Sequence, residues 1–167
     1  FNAIPFINAD GYHSKTIAYS IWHIFRIEDI VAHTVITEDE QVFFTGNYQV
    51  RINSPIITTG NELVKQQIAD FSKQLNLEEL YSYIFEVRES TEKILERFSY
   101  DELKWKIPDE RKGYLKSLNV VNCDEKAIWL IDYWCNKDIC GLIQMPFSRH
   151  WIMHTEACLR IKNKMHS

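Results

Sequence analysis

The sequence feature that most constrains the fold is a pair of histidines, His150 and His154, which stand four positions apart. They lie in a segment that reads as a helix beginning at Pro146, a position where a missing backbone N–H is harmless. Residues four apart on a helix leave the same face, and this face also carries the apolar residues Phe147, Ala157 and Ile161. The sequence therefore predicts two inward-facing imidazoles that could bind one transition-metal ion.

Apolar residues at helical spacing predict that most of the chain is helical. A first long helix is expected from an N-cap at Ser14 to about Ile36, and its apolar residues cover so much of its girth that burial on more than one side is expected. Further helices are expected over residues 59–75, 76–98, 124–139 and 146–161, with short turns over residues 99–106 and 109–118. Thr59, Asn76 and Asp124 are the expected N-caps of three of these helices, and Gly141 is expected to end the helix over residues 124–139.

The helical period stops between residues 37 and 59. From Gln41 to Ile52, apolar and polar residues alternate on both sides of Gly46, which is a fair signal for a β-hairpin. An extended loop closed by Pro55 fits this stretch equally well. The expected fold class is therefore all-α, a helical bundle with an irregular or hairpin-like excursion after its first long helix.

The length of 167 residues suits one domain, so residues 1–167 are expected to fold around a single core. The chain begins with Phe1 rather than Met, which leaves open whether an N-terminal segment is missing. Hydrophobic residues make up 46% and charged residues 25%, a balance typical of soluble globular proteins. The sequence shows neither an apolar run of membrane-spanning length nor a secretory leader, so the expected location is the cytoplasm, with no membrane partner.

The charge and the glycine content disfavour several function classes. The net charge is −4 and the basic residues form no dense block, which argues against a nucleic-acid partner. Five scattered glycines cannot build a phosphate-binding loop or a dinucleotide fingerprint, which excludes kinases, nucleotide hydrolases and Rossmann enzymes. Four cysteines without a Cys-x-x-Cys pair are expected to be reduced thiols; they are Cys123, Cys135, Cys140 and Cys158.

His23 is the histidine best placed to complete a metal site with the pair. It stands in the middle of the first long helix, whereas His13 and His166 lie near the chain ends. His33 shares the helix, but at about 100° per residue it projects about 80° away from His23. Three neutral imidazoles suit Zn, Ni, Cu or Fe(II) and leave a coordination position open. The alternative is that His23 is a hydrogen-bonded core residue, as lone buried histidines usually are.

Two segments resemble the signature helices of the DinB-like family, also called YfiT-like. They are Ser20-Ile-Trp-His-Ile-Phe-Arg-Ile-Glu-Asp29 and Met145-Pro-Phe-Ser-Arg-His-Trp-Ile-Met-His154. The resemblance implies a four-helix bundle that binds a divalent metal such as Zn, Ni or Fe through His23, His150 and His154. It also implies a homodimer and a thiol-dependent transferase or isomerase that uses a low-molecular-weight thiol such as bacillithiol or mycothiol. In the family a whole helix precedes the one that bears the first histidine, whereas only a short lead-in precedes Ser14 here.

Three residues near His23 are candidates for contacting a small-molecule substrate. Arg26 lies one helical turn away and could bind an anionic group, while Tyr19 and Trp22 could line a pocket. For Arg26 the favoured alternative is a structural ion pair with an acid such as Glu28 or Asp29. For the two aromatic residues the alternative is ordinary core packing.

Three functional hypotheses follow from these residues. The first is a metal-dependent enzyme whose three-histidine site activates a nucleophile. A peptidase is not supported, because the zinc-protease helix has Glu directly after its first histidine and this chain has Trp151. The second hypothesis is a non-catalytic metal-binding or stress-response protein, and the third is a helical interaction module whose histidines fill the core.

Overall fold

The structure is a computed structural model that describes residues 15–165. His13, the predicted N-cap Ser14 and His166 lie outside the described residues. The first half contains α1 (Ile17–Asp29), a π-helix that continues it (Ile30–Thr37), α2 (Val42–Thr45), α3 (Tyr48–Arg51), α4 (Gln66–Gln74) and α5 (Leu77–Leu95). The second half contains a 3-10 turn (Glu102–Lys104), α6 (Glu110–Ser117), α7 (Glu125–Cys135), α8 (Ile139–Gln144), a second π-helix (Met145–Arg149) and α9 (His150–Met165). Every named element is helical, which confirms the predicted all-α class for this part of the chain.

The first helix is the centre of the fold. Thr16 caps it, because its side-chain oxygen accepts a hydrogen bond from the backbone N–H of Tyr19 at 3.0 Å. Every residue from Trp22 to Val35 is buried, as the apolar girth of this helix predicts. α1 contacts α4, α5 and α9, and the π-helix that continues it contacts α6 and α7. The rest of the chain therefore packs around this one long helical segment.

Two apolar clusters share the first helix between them. The N-terminal part of α1 packs with α2 to α5 in a cluster that includes Trp22, Phe43, Phe71 and Tyr83. The end of α1 and its π-helical continuation pack with α6 to α8 in a second cluster; its members include Ile30, Leu115, Ile131, Trp134 and Leu142. His23 lies on the part of α1 that contributes Trp22, Ile24 and Phe25 to the first cluster, and is itself buried.

The predicted β-hairpin is wrong, and two short helices, α2 and α3, take its place. The fully buried carboxylate of Asp29 explains why helices form here. It accepts hydrogen bonds from the backbone N–H groups of Val42 and Phe43, each at 2.9 Å. A buried carboxylate that binds two successive N–H groups fixes the start of a helix. The alternating apolar pattern could not reveal this contact, since Asp29 stands on another element.

The helix caps were predicted with mixed success. Asn76 caps α5 by accepting the N–H groups of Glu78 and Glu79, and Asp124 caps α7, which confirms both predictions. The helix predicted from Thr59 begins only at Gln66. Thr59 and Gly60 are instead buried in a loop against α1.

The last helix continues a helical run that begins earlier than predicted. Gly141 does not stop a helix but lies in the first turn of α8, where its N–H donates to the Asp138 cap at 2.8 Å. Pro146 lies at the start of the second π-helix, and the N–H of His150 bonds to the carbonyl of Met145. A π-turn widens the helix and re-satisfies groups that a proline leaves unpaired. The regular helix α9 therefore starts at His150 itself.

Two further properties of the described residues bear on function. None of the helices within residues 15–165 combines the length and the apolar character needed to cross a membrane. The four cysteines are free thiols, of which Cys135 is buried and Cys123 is exposed.

Candidate metal centre

The three predicted histidines meet at one point, where α9 crosses α1. One ring nitrogen from each of His23, His150 and His154 lies within 4.8 Å of the others. The closest pair is His23 Nε2 and His150 Nε2, which are 3.3 Å apart. The three ring centroids are 4.5 to 5.1 Å apart, so the rings contact one another directly, each pair packed edge to face.

The spacing of the nitrogens fits a tetrahedral metal ion. Zinc–nitrogen bonds of about 2.0–2.1 Å place two ligand nitrogens about 3.3–3.4 Å apart at tetrahedral geometry. The 3.3 Å between His23 and His150 matches this edge. No two of the three ligand nitrogens are more than 4.8 Å apart, and a small rotation of one imidazole would shorten the longest distance to the tetrahedral value. A tetrahedral site with three protein ligands keeps its fourth position for a water or a substrate.

The ring of His23 is held so that one nitrogen faces the cluster. Its Nδ1–H donates to the carbonyl of Thr59 at 2.6 Å, which leaves the Nε2 lone pair directed towards His150. Tyr19 stacks on the imidazole at a centroid distance of 5.4 Å, and its hydroxyl donates to the carbonyl of Gly60 at 2.8 Å. Metal-binding histidines usually donate their other ring N–H to a carbonyl or carboxylate in this way, which fixes the tautomer.

Gly60 allows this loop to lie against α1. Its φ is +77°, and a Cβ atom added there would lie 2.7 Å from Cζ3 of Trp22. A side chain at this position would push the Thr59 carbonyl away from His23. Sequence reasoning missed the role of Thr59, because any residue carries a backbone carbonyl; Gly60 is the only local sign of the tight approach.

The other two histidines lack the partners that core histidines normally have. Within residues 15–165, Nδ1 of His150 and Nδ1 of His154 are buried without a hydrogen-bond partner. Most buried polar groups in proteins are hydrogen-bonded, so two neighbouring orphaned imidazole nitrogens are unusual for a structural core. Because His150 faces His23 through Nε2, its orphaned Nδ1 is not the nitrogen that would bind an ion, so ligation is supported by the convergence of the three rings and not by these orphaned atoms.

The electrostatic surroundings keep all three imidazoles neutral, as metal ligation requires. Burial, followed by the positive charge of Lys15, lowers the pKa of His150 to about 4. Burial, Lys15 and His150 together lower the pKa of His154 to about 3. Burial lowers the pKa of His23 well below its usual value, with further contributions from the other two histidines and Lys15. At neutral pH the cluster therefore offers free nitrogen lone pairs.

A cavity of about 300 Å³ opens onto the three histidines. Its apolar wall comes chiefly from α7 and α9 and includes Trp129, Tyr133, Trp134 and Met153. Its polar lining, besides the histidines, includes Lys15 and Asn61. The volume lies at the lower end of the range for small-molecule pockets, so a compact ligand could reach the nitrogens.

The proposed substrate contacts receive less support than the metal ligands. Arg26 is fully buried away from the cavity lining, and its guanidinium donates to the carbonyl of Ile57 and to Gln41 Oε1. It also lies 3.5 Å from the Asp29 carboxylate, which is the structural ion pair that the sequence favoured. Tyr19 contacts His23 but does not line the cavity, and Trp22 packs in the core against Phe71.

Comparison of the chain with protein-family models, with curated proteins and with solved structures finds no match. The geometry of the site is therefore the basis on which a function can be argued. The residues fit a divalent transition metal in donor type, in spacing and in protonation state.

Proposed function

We propose that this protein is a metal-dependent enzyme whose catalytic ion is held by His23, His150 and His154. The convergence of three neutral imidazole nitrogens in the lining of a cavity carries this proposal. Three nitrogen ligands suit zinc, nickel and iron(II). The ion when bound would lower the pKa of a water or thiol at its open position and so supply a nucleophile at neutral pH.

The chain's own residues account for the remaining requirements of such a site. The Thr59 carbonyl orients His23, and the π-turn before His150 sets where the ligand helix starts. The aromatic residues of α7 give the cavity an apolar wall, which would strengthen charge interactions beside it. A storage or sensor site is usually closed by a fourth protein ligand, whereas here a cavity reaches the nitrogens. This contrast favours the enzyme over the non-catalytic metal-binding protein.

We further propose that the chain is a divergent relative of the DinB-like bundles and shares their thiol-dependent transferase or isomerase chemistry. Support comes from the order of the three histidines and from the helices that carry them, since His23 is on α1 and the His150/His154 pair begins α9. The same proposal includes a small-molecule substrate, a low-molecular-weight thiol as co-substrate, a cytoplasmic location and a homodimer.

The test of this function is thiol consumption by the zinc-loaded protein. Bacillithiol, mycothiol and cysteine are each offered with 1-chloro-2,4-dinitrobenzene, and release of the thioether is followed by absorbance. In this reaction the thiolate sulfur forms the new S–C bond, chloride leaves with the bonding electron pair, and the thiol proton passes to buffer. We expect turnover with at least one thiol that disappears when a chelator removes the metal and returns when zinc is restored.

Three outcomes would contradict the proposal at different levels. Turnover that is unchanged in the metal-free protein would refute metal-dependent catalysis. A fully zinc-loaded protein that consumes no thiol with a wider panel of electrophiles would favour the non-catalytic metal-binding protein. A protein that binds no metal at all would favour the helical interaction module.

A further inference from the structure

The cavity has a strongly apolar wall on one side. Trp129 is half-exposed and Met153 is 59% exposed, and both line the cavity. Tyr133 and Trp134 extend the aromatic surface, and Trp129 and Tyr133 pack edge to face at 5.5 Å. Aromatic rings and methionine side chains bind flat apolar groups well, and methionine adapts to their shape. The body of a ligand that fills this cavity is therefore apolar.

The cavity also carries a positive charge, for which the described lining residues supply no acid. Lys15 lines the cavity, and within residues 15–165 its ammonium group forms no ion pair. The described lining residues include neither aspartate nor glutamate. Lys15 acts electrostatically on all three histidines, so its charge and that of a bound divalent ion would add in the same small space.

Among the described residues, the groups around Lys15 do not neutralise its charge. Burial lowers the pKa of Lys15, which reflects the loss of the water that normally solvates an ammonium group. A thiolate at Cys158 would stabilise the protonated form of Lys15. Burial raises the pKa of Cys158, however, so this residue is a neutral thiol at neutral pH. A partly buried cation without a partner is unfavourable, and a ligand anion would relieve that cost.

We propose that the cavity selects a small molecule with a flat apolar body and one negatively charged group, the apolar body against Trp129, Tyr133 and Met153 and the charge beside Lys15. This inference rests on the proposed function, because it names the substrate class of the same site. It assigns Lys15 a binding role that sequence reasoning missed, since a lysine just before a helix is most often a solvated surface residue. Asn61, whose Oδ1 is buried without a partner in the described chain, is a second polar contact for such a ligand.

The test compares 2-naphthoate with its neutral analogue 2-naphthamide by titration calorimetry on the zinc-loaded protein. We expect the wild-type protein to bind the carboxylate about tenfold more tightly than the amide, the effect of one partly buried charge pair. The Lys15→Met variant should lose most of this preference, while Lys162→Met, which removes an exposed lysine of α9, should keep it.

Metal analysis of the same samples separates this inference from the proposed function. Zinc-loaded protein that binds the two compounds equally, or binds neither, would overturn the selectivity and leave the metal centre intact. A preference that survives in Lys15→Met would overturn the role of Lys15. If the wild-type protein holds no zinc but still prefers 2-naphthoate in a way that depends on Lys15, the metal centre alone would be contradicted.

Discussion

His23 and His150 stand 127 positions apart in the sequence, and their Nε2 atoms lie 3.3 Å apart in the fold. At most one of these two Nε2 atoms carries a hydrogen that points at the other. His23 carries its hydrogen on Nδ1, which donates to Thr59, so its Nε2 has a free lone pair. The lone pair of His23 and the ring of His150 therefore face a common point, to which His154 also turns. The central claim is that a metal ion occupies this point.

Replacing each cluster histidine with alanine should abolish tight metal binding. We expect one zinc ion per wild-type chain and a loss of affinity of more than about 100-fold in His23→Ala, His150→Ala and His154→Ala, which exceeds the usual effect of changing a residue that only hydrogen-bonds a ligand. Dialysis followed by elemental analysis measures this loss. The matched control is His33→Ala, because His33 is also buried on the first long helical segment but pairs with Ser90 outside the cluster. Equal metal loss in His33→Ala would indicate unfolding rather than ligation.

Gly60→Ala should weaken the metal site without touching a ligand. The added methyl group would lie 2.7 Å from the Trp22 ring at a backbone φ of +77°, so the loop and the Thr59 carbonyl must move away from His23. We expect zinc affinity to fall by about 10–100-fold, the usual effect of losing the hydrogen bond that orients a ligand. In Gly113→Ala a Cβ would meet no atom within 4 Å, so this variant should retain full affinity. Unchanged affinity in Gly60→Ala would contradict the assigned role of Thr59.

The metal-free protein should lose stability as the pH falls below about 6.5. The folded-state pKa of His150 is about 4, whereas an unfolded histidine titrates near 6.5, so between these values only the unfolded state binds the proton. Stability therefore rises with pH across this window, by at most about 1.4 kcal/mol per pH unit for each such histidine. Urea unfolding from pH 7 to pH 5 measures the slope, and His150→Asn should reduce it. A slope that is unchanged in His150→Asn would show that His150 is not buried in its neutral form.

Arg26→Met should destabilise the fold and leave the metal site intact. The variant would leave the Asp29 carboxylate buried without its nearest cation, a change that typically costs about 3–5 kcal/mol. The exposed pair between Arg51 and Glu79 provides the control, because Arg51→Met should cost less than about 1 kcal/mol. Denaturant unfolding gives both values. If Arg26 instead serves a substrate, its variant would unfold like the wild type and show a raised KM.

Local signals in the sequence predicted the parts of the fold that local interactions determine. The Asn76 cap and the helix it starts depend on contacts between residues two and three positions apart. The helical face shared by His150 and His154 follows from spacing alone. The convergence of these residues with His23 was also predicted, but it depended on choosing among six histidines by their position in the chain.

Contacts between residues far apart in the sequence determine the parts of the structure that local patterns failed to predict. The hairpin prediction was wrong because Asp29 binds the N–H groups of Val42 and Phe43 from another helix. The helix predicted from Thr59 begins only at Gln66, and the carbonyl of Thr59 accepts a hydrogen bond from His23, 36 positions away, which the capping pattern does not indicate. Lys15 gave no signal in the sequence, because its significance comes from the uncharged residues that the fold places around it.

X-ray absorption at the zinc edge of the loaded protein, without added thiol, tests the central claim most directly. The account predicts three imidazole nitrogens and one further light atom at about 2.0–2.1 Å from the ion. The three imidazoles should also give the multiple-scattering pattern of histidine rings, reduced by one in each single histidine variant that retains some metal. A sulfur ligand at about 2.3 Å, or fewer than three imidazoles in the wild-type protein, would contradict the three-histidine centre.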